Sequence, residues 1–204
     1  SAQLREAAVN PHLPAACPRL YWHIEAGGWV LLGYEALSGR HADYTSGSPA
    51  LPLVAAALAE LQETAAPDGI DIKAAEQRWA AYAPPGTSDL FAGDTLLHTD
   101  FAPDNILVDQ RAHIIDWAWP TRGAAWIDPA VLILHLMDAG HTVEEADAFA
   151  RTFPSWQRAD PAAKAAFAVA NAALWKTIAQ QDASAWKQRM ARHAAAVSAF
   201  LDGS

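Results

Sequence analysis

Apolar residues are distributed along this chain in two textures: short runs bounded by turn residues, and long Ala- and Leu-rich stretches. Short runs read as strands and long stretches as helices. Leu4 to Val9 reads as the end of a helix that Asn10-Pro11 stops, because the residue before proline avoids the helical region. Arg19 to Glu25 and Trp29 to Ala36 read as two strands, with Gly27-Gly28 between them as a hairpin signal. Ser38-Gly39-Arg40 breaks the pattern. Ser48-Pro49, a capping residue followed by proline, opens a helix to about Ala65 that Pro67-Asp68-Gly69 ends. A second helix is expected from about Asp71 to Ala83, stopped by Pro84-Pro85-Gly86. Then the texture changes. Thr95 to His98, Ile106 to Val108 and His113 to Asp116 read as short strands, the last two a hairpin across the polar turn Asp109 to Ala112. Asp128-Pro129 repeats the cap-plus-proline signal and predicts a helix to about Ala139. Thr142 to Glu145 fits a capping box. Asp160-Pro161 starts a long helix towards Gln181, and a last helix covers about Ala183 to Leu201. The pattern predicts an α+β chain, mostly helical, with a few short strands around residues 95 to 117.

Composition narrows the class. Of 204 residues, 52% are hydrophobic and 18% charged, which suits a folded chain with a sizeable core. The length allows one large domain, or a domain plus a fragment. Nine Trp residues are many; some belong to the core, and some could line a pocket for a flat ligand. The net charge of -9, with no cluster of Lys or Arg, argues against nucleic-acid binding by phosphate neutralisation. An acidic surface serves solubility and would also suit a cationic substrate. A single cysteine, Cys17, excludes an intramolecular disulfide framework and points to a reducing compartment. No apolar targeting segment opens the sequence, and no apolar run approaches the roughly 18 residues that a membrane span needs. The expectation is a cytoplasmic protein without a membrane partner.

The chemistry is concentrated in His98-Thr99-Asp100-Phe101-Ala102-Pro103-Asp104-Asn105, a strand, a turn, and then Ile115-Asp116-Trp117. Phosphoryl transfer needs residues of these types in this order. The transferred group carries dispersed negative charge, so the protein must hold metal ions on the phosphates and aim the nucleophile. Asp100, at a loop tip, can accept the proton of an acceptor hydroxyl. Asn105 and Asp116 offer the hard oxygens that Mg2+ prefers, and the hairpin between them lets both approach one metal site. His98 would hold the loop's shape. Asp104 reads as a solvated neighbour, and His135 and His141 lack metal-ligand spacing.

The pattern His-x-Asp-x-x-x-x-Asn, followed by Ile-Asp-Trp, resembles the aminoglycoside phosphotransferase and choline kinase superfamily. The resemblance implies a protein-kinase-like fold, with residues 1–36 a remnant of the small β lobe and hinge, and residues 37–204 the catalytic lobe. It implies ATP or GTP as co-substrate, Mg2+, and a small acceptor that can carry amino groups, such as an aminoglycoside. Backbone groups of Tyr34, Glu35 and Ala36 would then meet the base, over a floor of Leu107 and Ile115; an edge strand and a plain core role are the alternatives. Glu6 falls where the family's helix carries a Glu paired with a strand Lys, and a solvated Glu fits as well. Asp128 falls where the family braces the catalytic loop, besides its place as a helix cap. The phosphate-covering loop and the strand Lys have no counterpart before Glu6, since Lys73 is the first lysine. The chain is therefore expected to be a fragment of a longer kinase with weak or no turnover by itself. A non-catalytic module of the same fold, binding a small ligand or a partner, is the competing expectation.

Overall fold

Gly27 and Gly28 both adopt positive φ, 58° and 82°, and this closes the first hairpin. The computed structural model describes residues 1–182 and 184–203. Helix α1 (Ala2–Val9) leads through a 3-10 turn at Asn10–His12 into strands β1 (Leu20–Ala26) and β2 (Trp29–Tyr34), antiparallel with Ala26 opposite Trp29. The second strand stops at Tyr34, short of the expected Ala36, and beyond it the Glu35 N–H donates to Arg19 O at 2.8 Å.

A second sheet has the order β3-β6-β7, from Arg40–His41, Ile106–Val108 and Ala112–Ile114. The last two form the hairpin expected around residues 109 to 112. Helix α2 (Ala50–Gln62) follows β3; it starts one residue later than the Ser48-Pro49 signal placed it, with Pro49 at the N-cap position, and the Ser48 hydroxyl still accepts the Ala50 N–H at 3.2 Å.

The helix expected from Asp71 to Ala83 is not formed. In its place stand a two-residue strand β4 (Lys73–Ala74) and one helical turn, α3 (Ala75–Arg78). The third sheet explains why. Its order is β4-β8-β5, with β5 at Thr95–Leu97 and β8 at Thr121–Gly123, and Lys73 and Ala74 pair in parallel with Thr121 and Arg122. Tertiary pairing overrides a modest local helix preference there.

The remaining elements are helical: α4 (Ile127–Asp138), α5 (Val143–Ala150), α6 (Pro154–Arg158), α7 (Pro161–Gln181) and α8 (Ala185–Asp202). The expected start of the last helix at Ala183 lies outside the described residues. The capping box forms in both directions, Glu145 N to Thr142 Oγ1 at 3.2 Å and Thr142 N to Glu145 Oε2 at 2.9 Å. Asp160 caps α7 through the Ala162 N–H at 2.8 Å. Helix α4 is the central element of the core, with Ile127, Leu132, Ile133, Leu134 and Leu136 buried. Phe167 of α7 meets Trp79, Phe91 and Trp126 edge-on at centroid distances of 5.0, 5.4 and 5.5 Å. Trp79, Trp117, Trp126 and Trp156 are buried, as expected of core residues, and Trp22, Trp29, Trp119 and Trp186 are exposed. Cys17 is buried, and burial pushes its thiol up to about 12, as suits a packing residue.

Close backbone approach fixes one glycine. A Cβ on Gly93 would lie 2.6 Å from the Cα and N of Ala124, where backbone meets backbone and no side chain can give way. Gly93→Ala should therefore cost about 1–3 kcal/mol, a melting-temperature loss on the order of 2–12 °C at this chain length. An unchanged thermal melt would contradict this packing.

Candidate active site

The loop from His98 to Asn105 leaves β5 and is tied down before it reaches solvent. Asp128, at the start of α4 and 1% exposed, does not cap its helix. It turns back to the loop instead: Oδ2 accepts the His98 N–H at 2.9 Å and Oδ1 the Thr99 N–H at 2.8 Å. Burial raises this carboxyl above its ordinary range, against the two backbone bonds, His98 and the charge of Arg78. Thr99 is held at φ 67°. Arg78 Nη1 reaches Thr99 Oγ1 at 2.7 Å, Trp119 O at 3.0 Å and Thr121 Oγ1 at 2.7 Å. Burial lowers the Arg78 guanidinium to about 10, and Asp128 and Asp100 oppose that shift.

His98 is 2% exposed, and both of its ring nitrogens serve the backbone. The Asp100 N–H donates to Nδ1 at 3.3 Å, so Nε2 carries the proton and donates to Ile115 O at 2.9 Å. Trp117 and Phe101 pack edge-on against the ring at 4.8 and 5.5 Å. His98 thus shapes the loop and does not face the open site. Asn105 completes the frame: its Nδ2 donates to Asp100 O at 3.1 Å, and its carbonyl accepts the Ile115 N–H at 2.9 Å. The Ile115 backbone is therefore held at both ends, by Asn105 and by His98. The next residue, Asp116, adopts φ 63°; among the described residues, Thr99 and Asp116 are the two non-glycine residues with positive φ. Such strain persists only where the surroundings over-determine it. The far side of the loop rests on Tyr44, whose hydroxyl donates to Phe101 O at 3.1 Å and whose carbonyl takes His141 Nε2 at 2.7 Å.

The structure brings most of the expected site residues together. Tyr34, Glu35, Leu107, Ile115 and Asp116 line one cavity of about 250 Å³, with Glu6 and Trp117. Ala36 is not among the lining residues, and the Glu35 N–H is spent on Arg19 O. Glu6 Oε1 accepts the Trp117 N–H at 3.3 Å, which ties α1 to the segment carrying Asp116. Burial raises the Glu6 carboxyl, and the buried Tyr34 hydroxyl lies beside it without a hydrogen bond of good geometry. Asp100 stands beside this frame with its side chain 49% exposed. Asp104 is exposed, as expected. No Lys or Arg is among the cavity's lining residues, and no group of three or more His, Cys, Asp or Glu stands ready for a metal among the described residues.

Arg78, Tyr44 and His135 belong to this site and were not identified from the sequence. Arg78 acts on Thr99, 21 positions away, and Tyr44 on Phe101, 57 positions away. His135 Nε2 lies 4.0 Å from Asp100 Oδ1. None of these contacts leaves a local spacing signal.

No protein-family model matches the chain, and no curated protein sequence matches it either. Among solved structures it is similar to choline kinase LicA from Streptococcus pneumoniae, with a TM-score of 0.67 and 14% identity over 97% of this chain and 80% of that one. The chain therefore has a kinase-like α+β fold, mostly helical with a partial β lobe. The resemblance to the choline kinase superfamily drawn from the motif holds at the level of fold.

Proposed function

We propose that this chain carries the catalytic centre of a small-molecule kinase that moves the γ-phosphoryl group of ATP or GTP to a hydroxyl of a small, amino-containing acceptor such as an aminoglycoside. The observation that supports it is the frame around Ile115, which holds the Asp100 loop and Asp116 in one rigid unit beside a cavity. As the acceptor oxygen bonds to the γ-phosphorus and the bond to the nucleoside diphosphate breaks, Asp100 takes the hydroxyl proton. The base of the nucleotide occupies the cavity over Leu107 and Ile115, against Tyr34 and Glu35. Residues 1–36 serve as small-lobe remnant and hinge, and residues 37–204 as the catalytic lobe. The protein works in the cytoplasm.

Asn105 and Asp116 fit Mg2+. The Asn105 amide nitrogen is tied to Asp100 O, which leaves Oδ1 to face a ligand, and no hydrogen bond of the described fold occupies the Asp116 carboxylate. One carboxylate and one amide oxygen, completed by substrate phosphates, are a usual Mg2+ donor set. When bound, the metal neutralises charge on the phosphates.

Calorimetry tests this reading. ATP should bind more tightly with Mg2+ than without it, and Asp116→Asn should remove the difference. Losing a charge-assisted contact costs about 1.5–3 kcal/mol, roughly tenfold to a hundredfold in affinity. Equal affinity with and without Mg2+ in the parent chain would sink the metal assignment. A kinase-like module that binds a small ligand without transferring phosphate is the second reading, and the absence of Lys and Arg from the cavity lining favours it. Nucleotide binding with no phosphate transfer in the full-length chain, followed by phosphorus NMR, would decide for that module.

A further inference from the structure

Helix α4 is buried from Ile127 to Leu134, and apolar there apart from Asp128; His135 comes next with a side chain only 11% exposed. An imidazole in such a place calls for a polar partner. Two carboxylates face it, Asp100 from the loop after β5 and Asp138 on its own helix. Asp138 is already engaged from α8, by Arg189 Nε at 2.9 Å, Arg189 Nη2 at 3.2 Å and His193 Nε2 at 3.4 Å. Asp100 is not: its carboxylate accepts no hydrogen bond among the described residues, and its Oδ1 lies 4.0 Å from His135 Nε2. Burial lowers the His135 pKa, so the ring is neutral and carries one N–H, against the pull of Asp100 and Asp138.

We propose that His135 is a positioning residue for Asp100: its Nε2–H closes onto Oδ1, fixes the carboxylate's rotamer and leaves Oδ2 to the acceptor hydroxyl. The proposal rests on the reading of Asp100 as the base. It accounts for a polar side chain among the buried apolar residues of α4, 4.0 Å from Asp100. A short movement of the half-exposed Asp100 completes the bond, since hydrogen bonds at such sites are often long before substrate enters.

Imidazole nitrogen NMR on the full-length chain tests the contact without any substrate. The expected result is the Nε2–H tautomer for His135, with a signal that moves in Asp100→Ala. An Nδ1–H tautomer, or a signal indifferent to Asp100→Ala, overturns the proposal. Phosphate release from ATP with water as acceptor tests the consequence. Misplacing a reacting group by about 1 Å costs on the order of a hundredfold, so His135→Leu should lower kcat by about tenfold to a hundredfold with the KM for ATP unchanged. His135→Gln, which keeps a donor near Nε2, should recover most of that loss. In an Asp100→Asn background His135→Leu should add nothing. Equal losses for Leu and Gln, or an additive loss in that background, would assign His135 to packing alone. Failure of the kinase reading looks different: Asp100→Asn would leave release unchanged, while the NMR result would still decide the contact.

Discussion

On the proposed kinase reading, Asp100→Asn should leave nucleotide affinity nearly intact and lower the rate of transfer to the acceptor by about 10²- to 10⁴-fold, the contribution of a positioned general base. The geometry supports this separation of effects. Asp100 is held from its backbone, by His98 Nδ1 at its N–H and by Asn105 Nδ2 at its carbonyl, so the loop keeps its shape when the carboxylate becomes an amide. Its side chain is not among the residues lining the cavity assigned to the nucleotide. Ground-state binding and catalysis should therefore part. Full-length protein is the right material, with calorimetry for affinity, transfer kinetics for rate and a thermal melt to show that folding is unchanged. A rate within a few-fold of the parent would remove Asp100 from the role of base. Joint loss of binding and rate would move it to the phosphate or metal site.

Asp128→Ala should be among the most destabilising single substitutions in the chain. Its carboxylate accepts two successive buried N–H groups, and Thr99, one of the two donors, sits at φ 67°. Truncation leaves both donors unpaired and strips the half-buried Arg78 of the opposite charge nearest in effect. The loss should be about 3–5 kcal/mol, the usual cost of removing one side of a buried charged arrangement. At this length that is a melting-temperature drop on the order of 6–20 °C. Asp128→Asn tests the two bonds separately, because its amide nitrogen must face one of the two donors. The pH dependence has a definite sign. The folded pKa is raised, so the folded chain holds this proton more tightly than the unfolded chain, whose value is about 3.9. The stability it confers is complete below the unfolded value and declines as pH rises through the folded one. The deficit of Asp128→Ala should therefore narrow from acid towards neutral pH in urea melts. A deficit that widens would mean that the ionised carboxylate is the favoured buried form.

What could be read from the sequence shares one physical property: it is settled within a few residues. Gly27-Gly28 makes a turn because both positions need positive φ, and Thr142 and Glu145 cap a helix because they stand three apart. Asp160 caps α7 for the same kind of reason. The order of Asp100, Asn105 and Asp116 was legible too, since a short hairpin brings the last two close whatever surrounds them. The helix expected over residues 71 to 83 failed because Lys73 and Ala74 found a strand partner 48 positions on, at Thr121 and Arg122. Asp128 read as a cap from its local signal and as a brace only through the family resemblance; it is a brace, and its donors, 30 and 29 positions back, leave no local trace. Arg78, Tyr44 and His135 reach the loop only across the folded core. The sequence by itself determined the tight turns, the caps at Thr142 and Asp160 and the order of Asp100, Asn105 and Asp116, because short-range sterics and hydrogen bonding leave such features little choice. Tertiary structure alone decided which groups hold the Asp100 loop, because the strain at Thr99 and Asp116 is tolerable only when distant buried partners are already in place.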